Sequence, residues 1–167
     1  MNRGGLVGGL AGVLRRALEP VLGRSRSGNA RREREGRRGE RLAAKHLRRA
    51  GYRVLARNAI ATGAVRGGVI AEADLICEAP DERTIVIVEV KTRTRGEGVS
   101  RRGNTIEPER QVDGRKRRAL RAMATRLVRA NRWHDRPMRI DVVAVEIERT
   151  GGREKIDIRH HVGAIGV

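Results

Sequence analysis

Four residues of this 167-residue chain have the types and the spacing to do chemistry together: Glu40, Asp74, Glu89 and Lys91. Glu89 and Lys91 end the run Thr84-Ile85-Val86-Ile87-Val88-Glu89-Val90-Lys91, whose β-branched apolar residues read as a strand buried on both faces. Side chains alternate along a strand, so Ile85, Ile87, Glu89 and Lys91 share one face, and Val86, Val88 and Val90 the other. Two charges at the end of a core strand are costly unless they have partners or a task. Asp74 belongs to a preceding strand, Val69 to Cys77, with Ile70, Glu72 and Ile76 on its face. The turn Ala79-Pro80-Asp81-Glu82 folds that strand back as a hairpin, which brings Asp74 near Glu89. Magnesium takes hard oxygen ligands, often one or two carboxylates plus water and substrate phosphate. Asp74 and Glu89 could supply them, and a bound metal would polarise a phosphate and generate a nucleophilic water. Lys91 could orient that water or steady the developing negative charge. Lysine is a marked choice in a chain with 38 basic residues, all but four of them arginine. An ammonium can lose its proton when its surroundings shift its pKa; a guanidinium effectively cannot. The bland alternative is a strand-end salt bridge between Glu89 and Lys91, contributing about 0–1 kcal/mol if exposed. An E-x-K triplet alone is common. Its weight comes from the core strand before it, the Asp74 strand and the Glu40 helix, in that order.

The elements that must position these groups follow from pattern and punctuation. A helix is expected from Asn29, a plausible N-cap, to Ala50, with Gly51 as C-cap and the firm part from Glu40 onward, since Gly36 and Gly39 weaken the first half. Glu40 precedes Ala43 and Leu47 by three and seven residues, which puts it on the inward side. There it is either a dipole partner at the helix start or a site residue. Tyr52 to Arg57 reads as a strand, and Asn58 to Gly68 as a loop. Thr92 to Asn104 reads as a basic, Gly-rich loop carrying Arg93, Arg95, Arg101 and Arg102. It is placed to act as an arm against a phosphate backbone, the alternative being an ordinary solvated loop. A helix over Pro108 to Arg129 carries the stripe Val112, Ala119, Leu120, Met123 and Leu127, and Lys116 falls on it, either snorkelling or aimed at the site. Met138 to Glu148 and Lys155 to Val162 read as a C-terminal hairpin turning at Gly151-Gly152.

The formal net charge is +18 with a sequence pI of about 11.7, and the basic excess persists well beyond the N-terminal stretch. A polyanionic partner is the natural reading, nucleic acid first, although an arginine-rich coding habit would raise the same count. With no Phe, one Tyr and one Trp, the chain lacks a base-stacking platform, so phosphate contacts are expected. Cys77 is the only cysteine, so no internal disulfide can form, which fits a reducing, cytoplasmic setting. His46, His134, His160 and His161 have no zinc-ligand spacing with it. Residues 1–30 differ in character and read as an extension, poorly ordered or a weak amphipathic helix; their apolar part is far shorter than the ~20 residues that span a bilayer. One domain over residues 31–167 is expected.

The chain resembles the YraN-like family of bacterial proteins, within the PD-(D/E)XK, or restriction-endonuclease-like, superfamily. The resemblance covers about residues 37–167. Gly39-Glu40 with Ala43, Ala44 and Leu47 resembles the family's opening helix, and Gly51-Tyr52 with Leu55 and Arg57-Asn58 its first strand. Glu72-Ala73-Asp74-Leu75-Ile76 is similar to its G-E-I-D-L-I segment. Val88-Glu89-Val90-Lys91-Thr92-Arg93 matches its V-E-V-K-x-R signature, Lys116 a lysine on the later helix, Ile140 to Val145 its R-F-D-V strand, and His160-His161-Val162 its ending. Ala71, Ala73 and Ile140 depart from the family's usual Gly, large aliphatic residue and Phe, and none removes a ligand. The resemblance implies an α/β fold with a central mixed sheet flanked by helices. It implies a magnesium (or manganese) site made by Asp74, Glu89 and the backbone carbonyl of Val90. Lys91 would be the catalytic lysine, and Glu40 a helix carboxylate similar to that of archaeal Holliday-junction resolvases, relatives that often act as homodimers. The expectation is a metal-dependent endonuclease acting on branched or damaged DNA, with Arg93, Arg95, Arg101, Arg102 and Lys116 against phosphates. The alternatives are a non-catalytic nucleic-acid-binding module on the same fold and, more weakly, a membrane-surface or protein-interaction factor working through residues 1–22.

Overall fold

The computed structural model describes residues 27–62, 69–95, 114–131 and 133–166. Among these the order is α1 (Ser27–Arg49), β1 (Arg53–Thr62), β2 (Val69–Glu78), β3 (Ile85–Arg95), α2 (Gly114–Asn131), β4 (Met138–Thr150) and β5 (Arg153–Ile165). The strands form one sheet in sequence order, with β3 and β4 parallel and the other neighbours antiparallel. A parallel pair needs a crossover, and the segment containing α2 supplies it. The result is the expected restriction-endonuclease-like α/β architecture, a mixed sheet flanked by helices.

The central run behaves as its alternation requires. Val86 and Val88 pack with Leu75, Cys77, Val143 and Val145 beneath Ala43, Ala44 and Leu47 of α1. Ile85 and Ile87 pack with Ile140 and Val142 beneath Leu120, Met123 and Leu127 of α2. Burying each such Val, Leu or Ile side chain contributes about 1.5–3 kcal/mol. A one-residue slip of β3 would exchange the two cores, so the register that sets Glu89 on the α2 side is strongly held.

Local punctuation explains the ends. Gly51, at φ 86°, closes α1: its N–H donates to the Arg48 carbonyl at 3.1 Å and the Tyr52 N–H to the Leu47 carbonyl at 3.0 Å. This is the Schellman pattern expected of a C-terminal glycine. Gly151 and Gly152, at φ 57° and 73°, make the two-residue turn between β4 and β5.

Three expectations are corrected. The helix starts at Ser27, so Asn29 lies inside it and is not its N-cap. Asn58 does not open a loop, because β1 continues to Thr62, with Asn58 at φ 48° as an irregular point within it. Thr92 to Arg95 are strand rather than loop, because β4 runs far enough to partner them. Arg93 stands opposite Glu146 and Arg95 opposite Glu148, pairings of opposite charge that favour continued strand. Arg101 and Arg102, with the rest of the expected basic arm, lie outside the described residues, as does the extension up to residue 26. No helix among the described residues is long and apolar enough to cross a membrane.

Candidate active site

The site forms where β2 leaves β3. Their pairing runs from Glu78↔Ile85 to Leu75↔Val88 and stops there. Leu75 and Cys77 face α1, whereas Ala73 and Ala71 pack on the α2 side, so β2 turns its faces over at Asp74. The positive φ of Asn58 falls beside this point on β1, between the pairs Arg57↔Leu75 and Ala59↔Ala73. The expectation that Glu72, Asp74 and Ile76 keep one regular face is therefore corrected. Beyond the last pair, the Asp74 side chain takes over from the ladder: its Oδ2 accepts the Val90 N–H at 2.6 Å. The N–H and C=O of a strand residue project to the same edge. The Val90 carbonyl thus faces the opening left by β2.

Glu89 is almost wholly buried. Lys91 Nζ donates to Glu89 Oε1 at 2.9 Å. Lys116, from the first turn of α2, brings its Nζ to 2.9 Å from Glu89 Oε2 and donates to the Glu72 carbonyl at 3.0 Å. Lys91 and Lys116 thus clasp the two oxygens of the buried Glu89 carboxylate. Lys116 therefore points at the site. Burial alone would lower its pKa, but the carboxylates of Glu89, Asp74 and Glu72 outweigh it and hold the ammonium above its usual range. The neighbouring carboxylates thus favour the charged form of Lys116.

Glu40 reaches the same place from α1. It lines a cleft of ≈ 420 Å³ with Arg32, Glu35, Gly36, Asp74, Val90, Lys91 and Thr92, a set that does not include Glu89. Burial raises the Glu40 carboxyl above the ordinary range, opposed by a hydrogen bond to the Asn58 side chain. Its approach depends on Gly39. A Cβ there would lie 1.7 Å from Thr92 Oγ1 and 2.8 Å from Thr92 Cβ, so only glycine lets α1 come this close to β3. The helix-weakening residue of the sequence reading is thus the contact that seats Glu40.

Asp74 carries the clearest electrostatic signature. Burial, reinforced by the neighbouring Glu89 charge, pushes its carboxyl up to about 7. Two carboxylates crowded together fit a divalent cation, which would relieve their repulsion. Among the described residues no group of three or more His, Cys, Asp or Glu side chains is gathered for a metal. The candidate donor set is therefore two carboxylates and the Val90 carbonyl, leaving other positions for water and phosphate. Of the proposed phosphate contacts, Lys116 sits at the site, while Arg93 and Arg95 extend along β3 past it.

A second polar cluster was not singled out as such by spacing. Asp141 is fully buried in β4, where its carboxylate accepts from Arg139 Nε at 3.0 Å and the Gly163 N–H at 2.8 Å and meets His160 Nε2 at 2.8 Å. Arg139 also donates to the Tyr52 hydroxyl at 2.7 Å. This knot ties β5 and the end of α1 to the sheet. Its one sequence signal is a lone aspartate inside the apolar run Ile140-Asp141-Val142-Val143.

Residues 39–145 match the family model of Uncharacterised protein family UPF0102. Similar chains, each called UPF0102 protein, come from several bacteria. The chain is 37% identical to one from Porphyromonas gingivalis over 126 residues, covering 75% of this chain and 81% of the relative. It is 36% identical to one from Pelobacter propionicus over 122 residues, covering 73% and 76%. It is 33% identical to one from Mycolicibacterium smegmatis over 128 residues, covering 77% and 89%.

Proposed function

The chain belongs to Uncharacterised protein family UPF0102, the YraN-like, restriction-endonuclease-like family, and from that premise we propose that it is a magnesium-dependent endonuclease cutting DNA, at branched or damaged sites. The observation that carries this reading is the pair Asp74 and Glu89, crowded at the open end of the β2–β3 ladder with Lys91 against Glu89.

Asp74, Glu89 and the Val90 carbonyl would hold the cation, magnesium or manganese. When bound, it supplies a Lewis acid for the phosphate and lowers the pKa of water. The rest belongs to the chain. Water oxygen attacks phosphorus and gives up a proton to solvent, the P–O bond to the leaving sugar oxygen breaks, and that oxygen takes up a proton from solvent. Lys91, which lines the cleft, would offer its ammonium to the negative charge that develops on the phosphate. Glu40, which lines the same cleft, would accept a hydrogen bond from the attacking water. Lys116 neutralises part of the Glu89 charge. Phosphates beyond the cleft would meet Arg93 and Arg95 of β3, and the sequence offers Arg101 and Arg102 for the same role. A nucleic-acid substrate and one buried thiol, Cys77, favour the reducing cytoplasm.

The test is cleavage of labelled linear, flapped and four-way DNA with magnesium or manganese against EDTA. Metal-dependent cutting by the wild type, lost in Glu89→Ala and Lys91→Ala while binding is kept, supports the nuclease. The lysine clasp on Glu89 favours one rival, a non-catalytic binding module in which these charges only neutralise one another. Binding without cutting by all three proteins would establish that rival.

A further inference from the structure

The first half of α1 carries a groove that neither the cleft nor the expected basic arm uses. Arg31, Arg34, Arg37, Arg38, Arg41 and Arg149 line a space of ≈ 510 Å³ with a single carboxylate, Glu35, among them. Five of these arginines come from α1 at positions that share or border one helical face. Arg149 joins them from the end of β4. Arg38 and Arg149 are held in place by Glu154, a residue of β5, with Arg149 Nε at 2.9 Å and Arg38 Nη1 at 2.8 Å from its Oε1. Arg149 also lies 3.6 Å from Glu35. Arg31 pairs with Glu35 at 3.4 Å and Arg37 with Glu33 at 3.8 Å. Arg34 and Arg41 have no ion pair among the described residues. The groove is therefore a scaffold of braced arginines presenting two unspent charges, and it adjoins the cleft, since Glu35 lines both.

We propose that this groove is a docking track for the phosphate backbone of a nucleic acid that runs on to the adjoining cleft. The occupant follows from charge and length. Arg31 to Arg41 spans ten residues, roughly 15 Å of helix. One strand of duplex presents a phosphate about every 3.4 Å along its axis, so the ridge matches roughly four phosphates. Planar guanidinium groups suit bidentate contact with phosphate oxygens. The chain offers only one Trp and one Tyr for base stacking, which makes the backbone the feature to be read. The inference rests on the nuclease reading for the cleft, but its own content is where the polyanion lies.

The salt dependence of binding to a non-cleavable four-way junction and to linear duplex separates the two. Each lost phosphate contact should lower the slope of log K against log salt by about 0.9. Arg34→Gln with Arg41→Gln should therefore reduce the slope by roughly 2, whereas Arg118→Gln with Arg129→Gln on α2, the same change in net charge, should leave it nearly unaltered. Folding of each variant is checked by its thermal transition. An unchanged slope in the α1 variant, or equal loss in both variants, would overturn the track while leaving cleavage at the cleft intact. A reduced slope together with no metal-dependent cutting by the wild type would uphold the track and sink the nuclease reading. Displacement of DNA by polyglutamate of matched charge as effectively as by unlabelled DNA would assign the groove to acidic polypeptides and overturn the proposal.

Discussion

Asp74 is the residue on which stability and function pull apart. Its carboxyl rises from 3.8 to about 7 on folding, through burial first and the Glu89 charge second. A raised acid favours the fold while protonated, so this contribution is complete below about pH 3.8 and is lost as pH rises through about 7. Asp74→Asn removes the titration and can still accept the Val90 N–H. In metal-free urea denaturation the variant should gain on the wild type as pH rises across that window, by on the order of 2 kcal/mol at pH 8. A difference that stays flat from pH 4 to 8 would show that neither burial nor Glu89 raises the Asp74 carboxyl. Cys77 makes the opposite kind of prediction. Burial pushes its thiol up to about 12 and its side chain is fully enclosed. Labelling by a thiol reagent should therefore proceed only through unfolding, and its rate should rise with denaturant as the unfolding rate does.

At the scale of the element, α1 does two jobs through two glycines. Gly36 has open space around the position of a Cβ, whereas Gly39 abuts Thr92. Gly36→Ala should stabilise the protein by about 0.5–1 kcal/mol, since alanine is the better helix former. Gly39→Ala should instead destabilise by about 1–3 kcal/mol, because α1 must lift off β3. It should also impair any activity that needs Glu40. Thr92→Ala should recover part of the Gly39→Ala loss, with a coupling of at least about 0.5 kcal/mol in a double-mutant cycle. Equal effects of alanine at both glycines, read by denaturant midpoints, would mean the helix does not approach the strand as closely as described. β4 holds its own test. Removing the buried Asp141 carboxylate leaves Arg139 and His160 without their shared partner, and Asp141→Ala should cost about 3–5 kcal/mol. A midpoint within error of the wild type would refute the knot.

Across the whole molecule, what could be read from the chain is what alternation and punctuation encode. The β3 run announces its two faces, and both cores follow; Gly51 and the pair Gly151-Gly152 announce their turns. The nearness of Asp74 to Glu89 and Lys91 follows from the hairpin of β2 and β3, and the inward side of α1 carries Glu40; the stripe of α2 leaves Lys116 open between snorkelling and the site. Other features depend on partners distant in sequence. The continuation of β3 through Arg95 needs the glutamates of β4, and a run of Arg, Thr and Gly by itself reads as loop. The face reversal at Asp74 needs the departure of β2 from β3 and the irregular Asn58 on β1. No local propensity marks the close approach at Gly39, because the clash it avoids lies with Thr92, fifty-three positions on. The arginine groove was hidden for the same reason: its bracing comes from Arg149 and Glu154 at the far end of the chain.

One property underlies the whole functional reading, and it can be measured without knowing the substrate: whether Asp74 and Glu89 together bind a divalent cation. Manganese titrated into the purified protein at pH 8, with free manganese followed by electron paramagnetic resonance, reads this directly. A site lost in both Asp74→Asn and Glu89→Gln and retained in Arg118→Gln is the expected result. Manganese binding that is absent from the wild type, or undiminished in both carboxylate variants, would contradict it.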